Sequence, residues 1–337
     1  MIRCDVCERR CPLGPDTSGY CRMYHAPHGL VEERFPDRWC AYATARMETI
    51  PFYHAWPGAR CLVVGTAGCN FDCRYCANAE VVKVDPAGQQ DVMLDILPED
   101  LVAVARKRGC RAIVFSVNEP TVSLPTLERV SVAARRAGLV MGCLTNGYAT
   151  PEGTARLGAI FDCVNVSLKG LSPEFCRDYL GVPDVGPILR NIQALARTTH
   201  VEVTTPVIEG INSHELSEMV DFLAGVGPDV PWHAFRLLPE YKMRQEDYPS
   251  VAAVGAQVEA AARGKLRYVY FHNFIGSRWV NTLCPGCGEA VIERHSLGCG
   301  GDRLQAVHLD GGACPRCGAS VALRGDPDPA TAKEACS

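Results

Sequence analysis

The sequence has no long apolar runs, and stretches such as Ala112-Ile113-Val114-Phe115 fall far short of the roughly 20 residues a membrane helix needs. It also lacks a surplus of one charge. Lys and Arg number 34 against 38 Asp and Glu, a formal net charge of -4, without the basic excess that duplex nucleic acid demands. Met1 to Arg10 lack the apolar stretch of a signal peptide. Neither collagen-like nor disordered composition is present. These absences argue against a membrane protein, a nucleic-acid binder and a secreted disulfide scaffold, so a cytoplasmic location is expected. At 337 residues and 47% hydrophobic, the chain has material for about two domains with a full core.

What the sequence has in abundance is cysteine, 19 in all. In a reducing compartment, clustered thiols more often hold metals than form disulfides. Three clusters stand out: Cys4, Cys7, Cys11 and Cys21; Cys69, Cys73 and Cys76; and Cys284, Cys287, Cys314 and Cys317. Cys61, Cys110, Cys143 and Cys163 lie in or beside apolar runs and are expected to pack as small core residues.

Between the second and third clusters, short β-rich runs alternate with helical stretches, the pattern of a parallel α/β architecture. Strands are expected near 61–65, 112–117, 139–145, 163–168, 200–206, 232–238 and 268–271. The clearest helices fall at 98–108, 124–137, 185–197, 213–224 and 251–262. Six or seven such units make an incomplete barrel, in which reactive groups gather where strands end and loops begin. The expected division is a Cys-rich module over 1–50, an incomplete (β/α)6 barrel over 51–280, a Cys4 module over 281–325 and a flexible tail over 326–337.

Cys69-Asn70-Phe71-Asp72-Cys73-Arg74-Tyr75-Cys76 follows the first of these strands directly. Three thiolates can hold three corners of a four-iron cubane, leaving one iron open to a substrate or cofactor. A partial zinc site completed by a distant ligand is the other reading. Cys-x3-Cys-x-aromatic-Cys at this place resembles the signature of radical S-adenosylmethionine (SAM) enzymes, with Tyr75 as the aromatic. Val117-Asn118-Glu119-Pro120 is similar to that family's Gly-Gly-Glu-Pro element, which binds the methionine amino group. Thr145-Asn146-Gly147 resembles its cofactor-facing turn. Ser167-Leu168-Lys169-Gly170 resembles the Asp-Leu-Lys-Gly segment of activating-enzyme relatives, with Ser167 standing where they carry Asp. Taken end to end, the chain resembles radical SAM enzymes of the AmmeMemoRadiSam type, relatives of pyruvate formate-lyase activating enzymes.

The resemblance implies a radical-SAM barrel whose 4Fe-4S cluster sits on Cys69, Cys73 and Cys76 and binds SAM. Tyr75, Asn118, Glu119, Asn146, Ser167, Lys169 and His233 are the expected cofactor contacts, and Thr204, Arg236 and Tyr241 the weaker substrate candidates. It further implies a flavodoxin or ferredoxin as reductant and a 5'-deoxyadenosyl radical. That radical would take hydrogen from a protein, as in glycyl-radical activation, or from a small molecule or RNA. A zinc-ribbon binding protein without catalysis is the reading of another class.

The outer modules are legible from spacing. Cys284-Pro285-Gly286-Cys287-Gly288 and Cys314-Pro315-Arg316-Cys317-Gly318 are paired knuckles that aim four thiolates at one ion, structural zinc or a rubredoxin-like iron. Cys4, Cys7, Cys11 and Cys21 suffice for zinc or for an auxiliary cluster, and spacing does not choose between them.

Overall fold

The computed structural model describes residues 1–328, so the expected tail lies outside the described residues from 329 onward. One eight-stranded sheet organises the chain. Its antiparallel edge is β1 (Ala41–Arg46), beside β2 (Arg60–Gly65). The sheet continues in chain order and in parallel through β3 (Ala112–Phe115), β4 (Val140–Thr145), β5 (Cys163–Ser167), β6 (His200–Val207), β7 (Trp232–Arg236) and β8 (Val269–His272). Six helices fill the crossovers: α1 (Pro98–Lys107), α2 (Leu124–Arg136), α3 (Pro151–Ile160), α4 (Gly186–Ala196), α5 (Leu216–Val226) and α6 (Val251–Ala262). Among the described residues β1 and β8 are the two ends of the sheet and do not pair, so the barrel is incomplete.

Local chemistry explains these elements. Ala-Ile-Val-Phe of β3 is buried at every position, as a parallel strand covered by helices on both sides requires. Pro98 opens α1, Glu99 and Asp100 occupy its first turn, and Arg106 and Lys107 its last, each sign favoured by the helix dipole there. Thr150 caps α3 through Oγ1, which accepts Gly153 N–H at 3.0 Å. Cys61, Cys110, Cys143 and Cys163 are all buried and pack as apolar residues.

The C-terminal module is a three-stranded antiparallel sheet of β9 (Thr282–Leu283), β10 (Ala290–Ser296) and β11 (Asp302–Val307). Buried polar groups join it to the barrel. Arg294 donates to Tyr53 O at 2.8 Å, packs over the Tyr53 ring and pairs with Glu48 at 3.5 Å. Tyr53 in turn donates to Asp302 Oδ2 at 2.5 Å. At the N-terminus, Ile2–Arg3 pairs with Pro12–Leu13, and Tyr24–His25 with Glu32–Glu33. The division at 50, 280 and 325 stays a proposal, with Ala41–Arg46 part of the main sheet.

Candidate active site

A cavity of about 370 Å³ opens at the carboxyl ends of β3 to β8. Its wall gathers Cys69, Cys73, Tyr75 and Cys76 with Asn118, Glu119, Asn146, Ser167, Lys169, Thr204 and Arg236. Eleven of the thirteen sequence-expected residues of this site therefore share one wall; His233 and Tyr241 are the two outside it. Another cavity of about 430 Å³, between α6 and Trp279, has Glu259 as its one carboxylate and carries no thiol.

The cysteine loop is pinned from β3. Asn118 Oδ1 accepts Thr66 N–H at 3.0 Å, while its Nδ2 donates to Ala67 O at 2.9 Å and Gly68 O at 3.1 Å. Asn118, expected as a cofactor contact, thus spends its polar atoms on the backbone just before Cys69. Val117 reaches this geometry with φ +85, a left-handed conformation that a β-branched residue adopts only under strain.

Glu119 sits at the heart of the wall. Its Oε1 accepts Thr145 Oγ1 at 2.8 Å, Thr121 Oγ1 at 3.0 Å and Thr121 N–H at 3.2 Å; its Oε2 accepts only Asn146 N–H, at 2.7 Å. Burial raises its pKa, and these hydrogen bonds offset that only in part. A cation at Oε2 would relieve the remainder. Asn146 reaches the cysteines as well, its Nδ2 donating to Asn70 Oδ1 at 2.6 Å and lying 3.9 Å from Cys69 Sγ. The turn beneath it needs Gly147, which has φ +73 and whose added Cβ would meet Val166 at 2.8 Å.

Several features fit three thiolates and a charged ligand. The Tyr75 hydroxyl is buried without a hydrogen-bond partner. Lys169 Nζ stands 5.8 Å from the Tyr75 ring centroid, and its charge opposes the burial that raises Cys73. Lys83, not marked by any motif, donates to Phe71 O at 2.5 Å and pairs with Asp72 at 3.3 Å. Burial works to lower Lys83, yet Cys69, Cys73, Cys76 and Asp72 together hold its pKa raised. The cysteine-rich loop itself is the signal that should have drawn attention to Lys83 and Asn70.

Thr204 donates to Asn165 Oδ1 at 2.8 Å, and Arg236 donates to Pro249 O at 2.7 Å. His233 lies outside that wall. Its side chain is fully buried, with one ring nitrogen on Glu202 at 2.7 Å and the other on His272 at 3.0 Å, so neither is free for a cofactor. Tyr241 lies in the short Tyr241–Met243 turn, outside the wall.

The two outer cysteine sites differ. Sγ atoms of Cys284, Cys287, Cys314 and Cys317 all lie within 4.8 Å of one another, with contacts of 3.4 and 3.7 Å, spacing that suits one tetrahedral ion. Gly288 and Gly318 close the two knuckles with φ +74 and +75, each donating to the O of the first cysteine at 2.9 Å. Cys4, Cys7, Cys11 and Cys21 line a separate, enclosed cavity that reaches Asn70.

The family model described as the Radical SAM superfamily matches residues 63–223. An uncharacterised protein of Methanocaldococcus jannaschii is 26% identical over 95% of this chain and 95% of its own length. A probable GTP 3',8-cyclase of Methanosarcina mazei is 32% identical over 47% of this chain and 48% of that protein, so the chain spans about half the length of this relative. Among solved structures, SuiB of Streptococcus suis bound to its precursor peptide SuiA aligns with a TM-score of 0.48 at 12% identity, covering 61% of this chain and 48% of that one. Radical SAM proteins use a 4Fe-4S cluster and SAM. The matched segment runs from β2 into α5 and takes in the cysteine loop at the end of β2, so this part of the chain is similar to the radical SAM superfamily.

Proposed function

We propose that this protein cleaves SAM reductively and uses the product to take a hydrogen atom from a partner protein. The observation that supports this reading is the shared wall of Cys69, Cys73, Cys76, Glu119 and Lys169 around one cavity. When bound, the cluster and SAM supply the one-electron cleavage that yields a 5'-deoxyadenosyl radical.

The protein's own residues do the rest. Cys69, Cys73 and Cys76 hold the cluster, and Asn118 fixes the loop that presents them. Glu119 Oε2, with its single protein donor, would receive the ammonium of the methionine moiety, and Lys169, on the same wall, would pair with its carboxylate. Asn146 ties Glu119 to Cys69 and so sets the relative position of cofactor and cluster. The apolar walls Phe71, Leu144, Phe235 and Leu237 exclude water from a reactive site.

Exposed Ala77 and Asn78 belong to the lining of the cavity of about 370 Å³. The resemblance to activating enzymes favours a protein segment over a small molecule as the source of the hydrogen atom. A flavodoxin or ferredoxin supplies the electron. Modification of a small molecule or RNA is the second reading, and the similarity to proteins named GTP 3',8-cyclase supports it.

The test is anaerobic. Cluster-reconstituted protein, SAM and a strong one-electron reductant should yield 5'-deoxyadenosine, and the Cys73→Ala variant should yield none. Substantial cleavage by that variant would remove the assignment. Deuterium moving from a labelled partner protein into 5'-deoxyadenosine would identify the substrate class.

A further inference from the structure

We propose that the cavity of about 430 Å³ between β8 and β9 receives an extended segment of a partner protein, which pairs with the backbone of Val269, buries one apolar side chain and sets a carboxylate on Arg278. This rests on the reading above that the substrate is a protein, and says where that protein is gripped.

The cavity lies where two sheets end. β8 (Val269–His272) is the last strand of the main sheet, and β9 (Thr282–Leu283) is the outer strand of the C-terminal one. The hydroxyls of Tyr270 and Thr282, 2.9 Å apart, join them at one point. Beside that junction Leu266, Tyr268, Val269, Trp279 and Leu283 make the wall largely apolar and aromatic.

The register of β8 decides which backbone groups face this space. Trp232 is the parallel partner of Val269, and Trp232 N–H donates to Tyr268 O at 3.0 Å. In a parallel ladder the residue that bonds in this way sends both its groups to the neighbours flanking its partner, and the partner's own N–H and C=O point the other way. Val269 N–H and C=O therefore face the open side of the sheet, and neither has a hydrogen-bond partner among the described residues. Val269 is half-buried, so this unmatched donor and acceptor carry a cost that an added strand would remove. Two residues on, the edge is already taken, because Phe271 O accepts Ser277 Oγ at 2.7 Å. The open edge is thus one residue wide, enough for one hydrogen bond in each direction. Strand addition draws affinity from such main-chain bonds and specificity from an adjoining side-chain pocket.

Charge narrows the choice of occupant. Arg263, Arg267 and Arg278 rim the cavity, with Glu259 the one carboxylate in its wall. Arg263 pairs with Glu259 at 3.3 Å and Arg267 with Asp229 at 2.9 Å. Exposed Arg278 has no ion pair among the described residues. One unmatched guanidinium over an apolar floor suits a single carboxylate beside an apolar side chain. A nucleoside phosphate would have to draw Arg263 and Arg267 off the carboxylates they already hold.

The position suits a substrate protein. Asn273, one residue past β8, lines the catalytic cavity, so a segment held at Val269 lies about 13 Å from it, four residues at ~3.3 Å each. The grip and the chemistry are then at opposite ends of one strand.

Random peptides displayed on phage and selected on full-length, metal-loaded protein test this. Enriched peptides should share an apolar residue next to Asp or Glu, and the best of them, fluorescein-labelled, should bind wild type in a polarisation assay. Arg278→Glu should weaken that peptide about tenfold or more, as the loss of a charged hydrogen bond requires. Val269→Pro removes the outward N–H and no ladder bond, which an edge strand tolerates, and should weaken it roughly 3- to 10-fold. Wild-type melting curves guard both variants against misfolding. Selection that enriches no such peptide, unchanged affinity in either variant, or displacement of the peptide by AMP or GMP would each overturn the proposal. Protein that binds the peptide as described yet cleaves no SAM with dithionite would instead remove the radical reading, with the docking site left standing.

Discussion

Replacing Glu119 by Gln separates a cofactor contact from a scaffold residue. The carboxylate takes three protein donors at Oε1 and one at Oε2. A Gln side chain keeps its oxygen on the Oε1 side, because the reverse orientation sets three donors against its amide. Its NH2 then opposes Asn146 N–H, where Oε2 accepted at 2.7 Å. One unmatched buried donor pair costs about 1–3 kcal/mol of stability. The lost charge removes the ammonium's partner as well. A charged hydrogen bond is worth about 1.5–3 kcal/mol, or roughly 10- to 150-fold in Kd for SAM. Titration calorimetry on cluster-loaded protein reads the second effect, and urea unfolding reads the first. The pH dependence adds a further check. Burial raises the Glu119 pKa, so wild-type affinity should climb as pH rises through that value, and Glu119→Gln should show no such climb. If the variant lost stability yet bound SAM as tightly as wild type at every pH, Glu119 would be a scaffold residue and the cofactor would sit elsewhere.

Two further outcomes test the framework around the site. Glu202 is fully buried and accepts Tyr53 N–H, His54 N–H, His200 and His233, contacts that hold its pKa well below the ordinary carboxylate value although burial alone would raise it. Its stabilisation is present above pH 4.5 and is lost as pH falls through the depressed folded value. Glu202→Gln should therefore cost about 3 kcal/mol near neutral pH, with the gap narrowing in acid. A gap in denaturant midpoints that stays constant below pH 4.5 would contradict this account. Val117→Gly should relieve about 1–3 kcal/mol of left-handed strain, less about 1 kcal/mol for glycine's greater freedom when unfolded. Calorimetry should thus show a higher melting temperature, and a lower one would show that φ +85 costs little in this setting.

Much of this was legible because parallel strands announce themselves. Every strand from β2 to β8 is a short apolar or β-branched run, and its ends fall within two residues of the sequence reading. The edge strand β1 was missed because Ala-Tyr-Ala-Thr-Ala-Arg is only half-buried and presents no apolar run. Helix α3 did not stand out, although Thr150 and Pro151 carry a usable start signal. The site residues that could be read lie on strand ends, where a local motif fixes position. His233 could not be read that way, because its partners Glu202 and His272 lie 31 and 39 residues away and only packing brings them together. Asn70 stood inside the cysteine loop, but its double contact depends on the N-terminal segment folding back over that loop.

The bonds between β11 and the barrel also bear on synthesis. Tyr53 emerges from the ribosome early, yet the carboxylate that completes its buried cluster is 249 residues later, and Arg294 pairs with Glu48 across 246. Contacts so distant in sequence form late and slow folding. Until the last segment arrives, Tyr53, Glu48 and His272 lack those partners in a nascent barrel that is otherwise ready to close. Because β10 and β11 lie between the two knuckles, an ion held by the four thiols would organise the strands carrying Arg294 and Asp302, so metal loading is expected to precede completion of the buried cluster. Zinc or iron starvation should accordingly appear first as nascent chains retained by chaperones, before any shortfall in cluster chemistry.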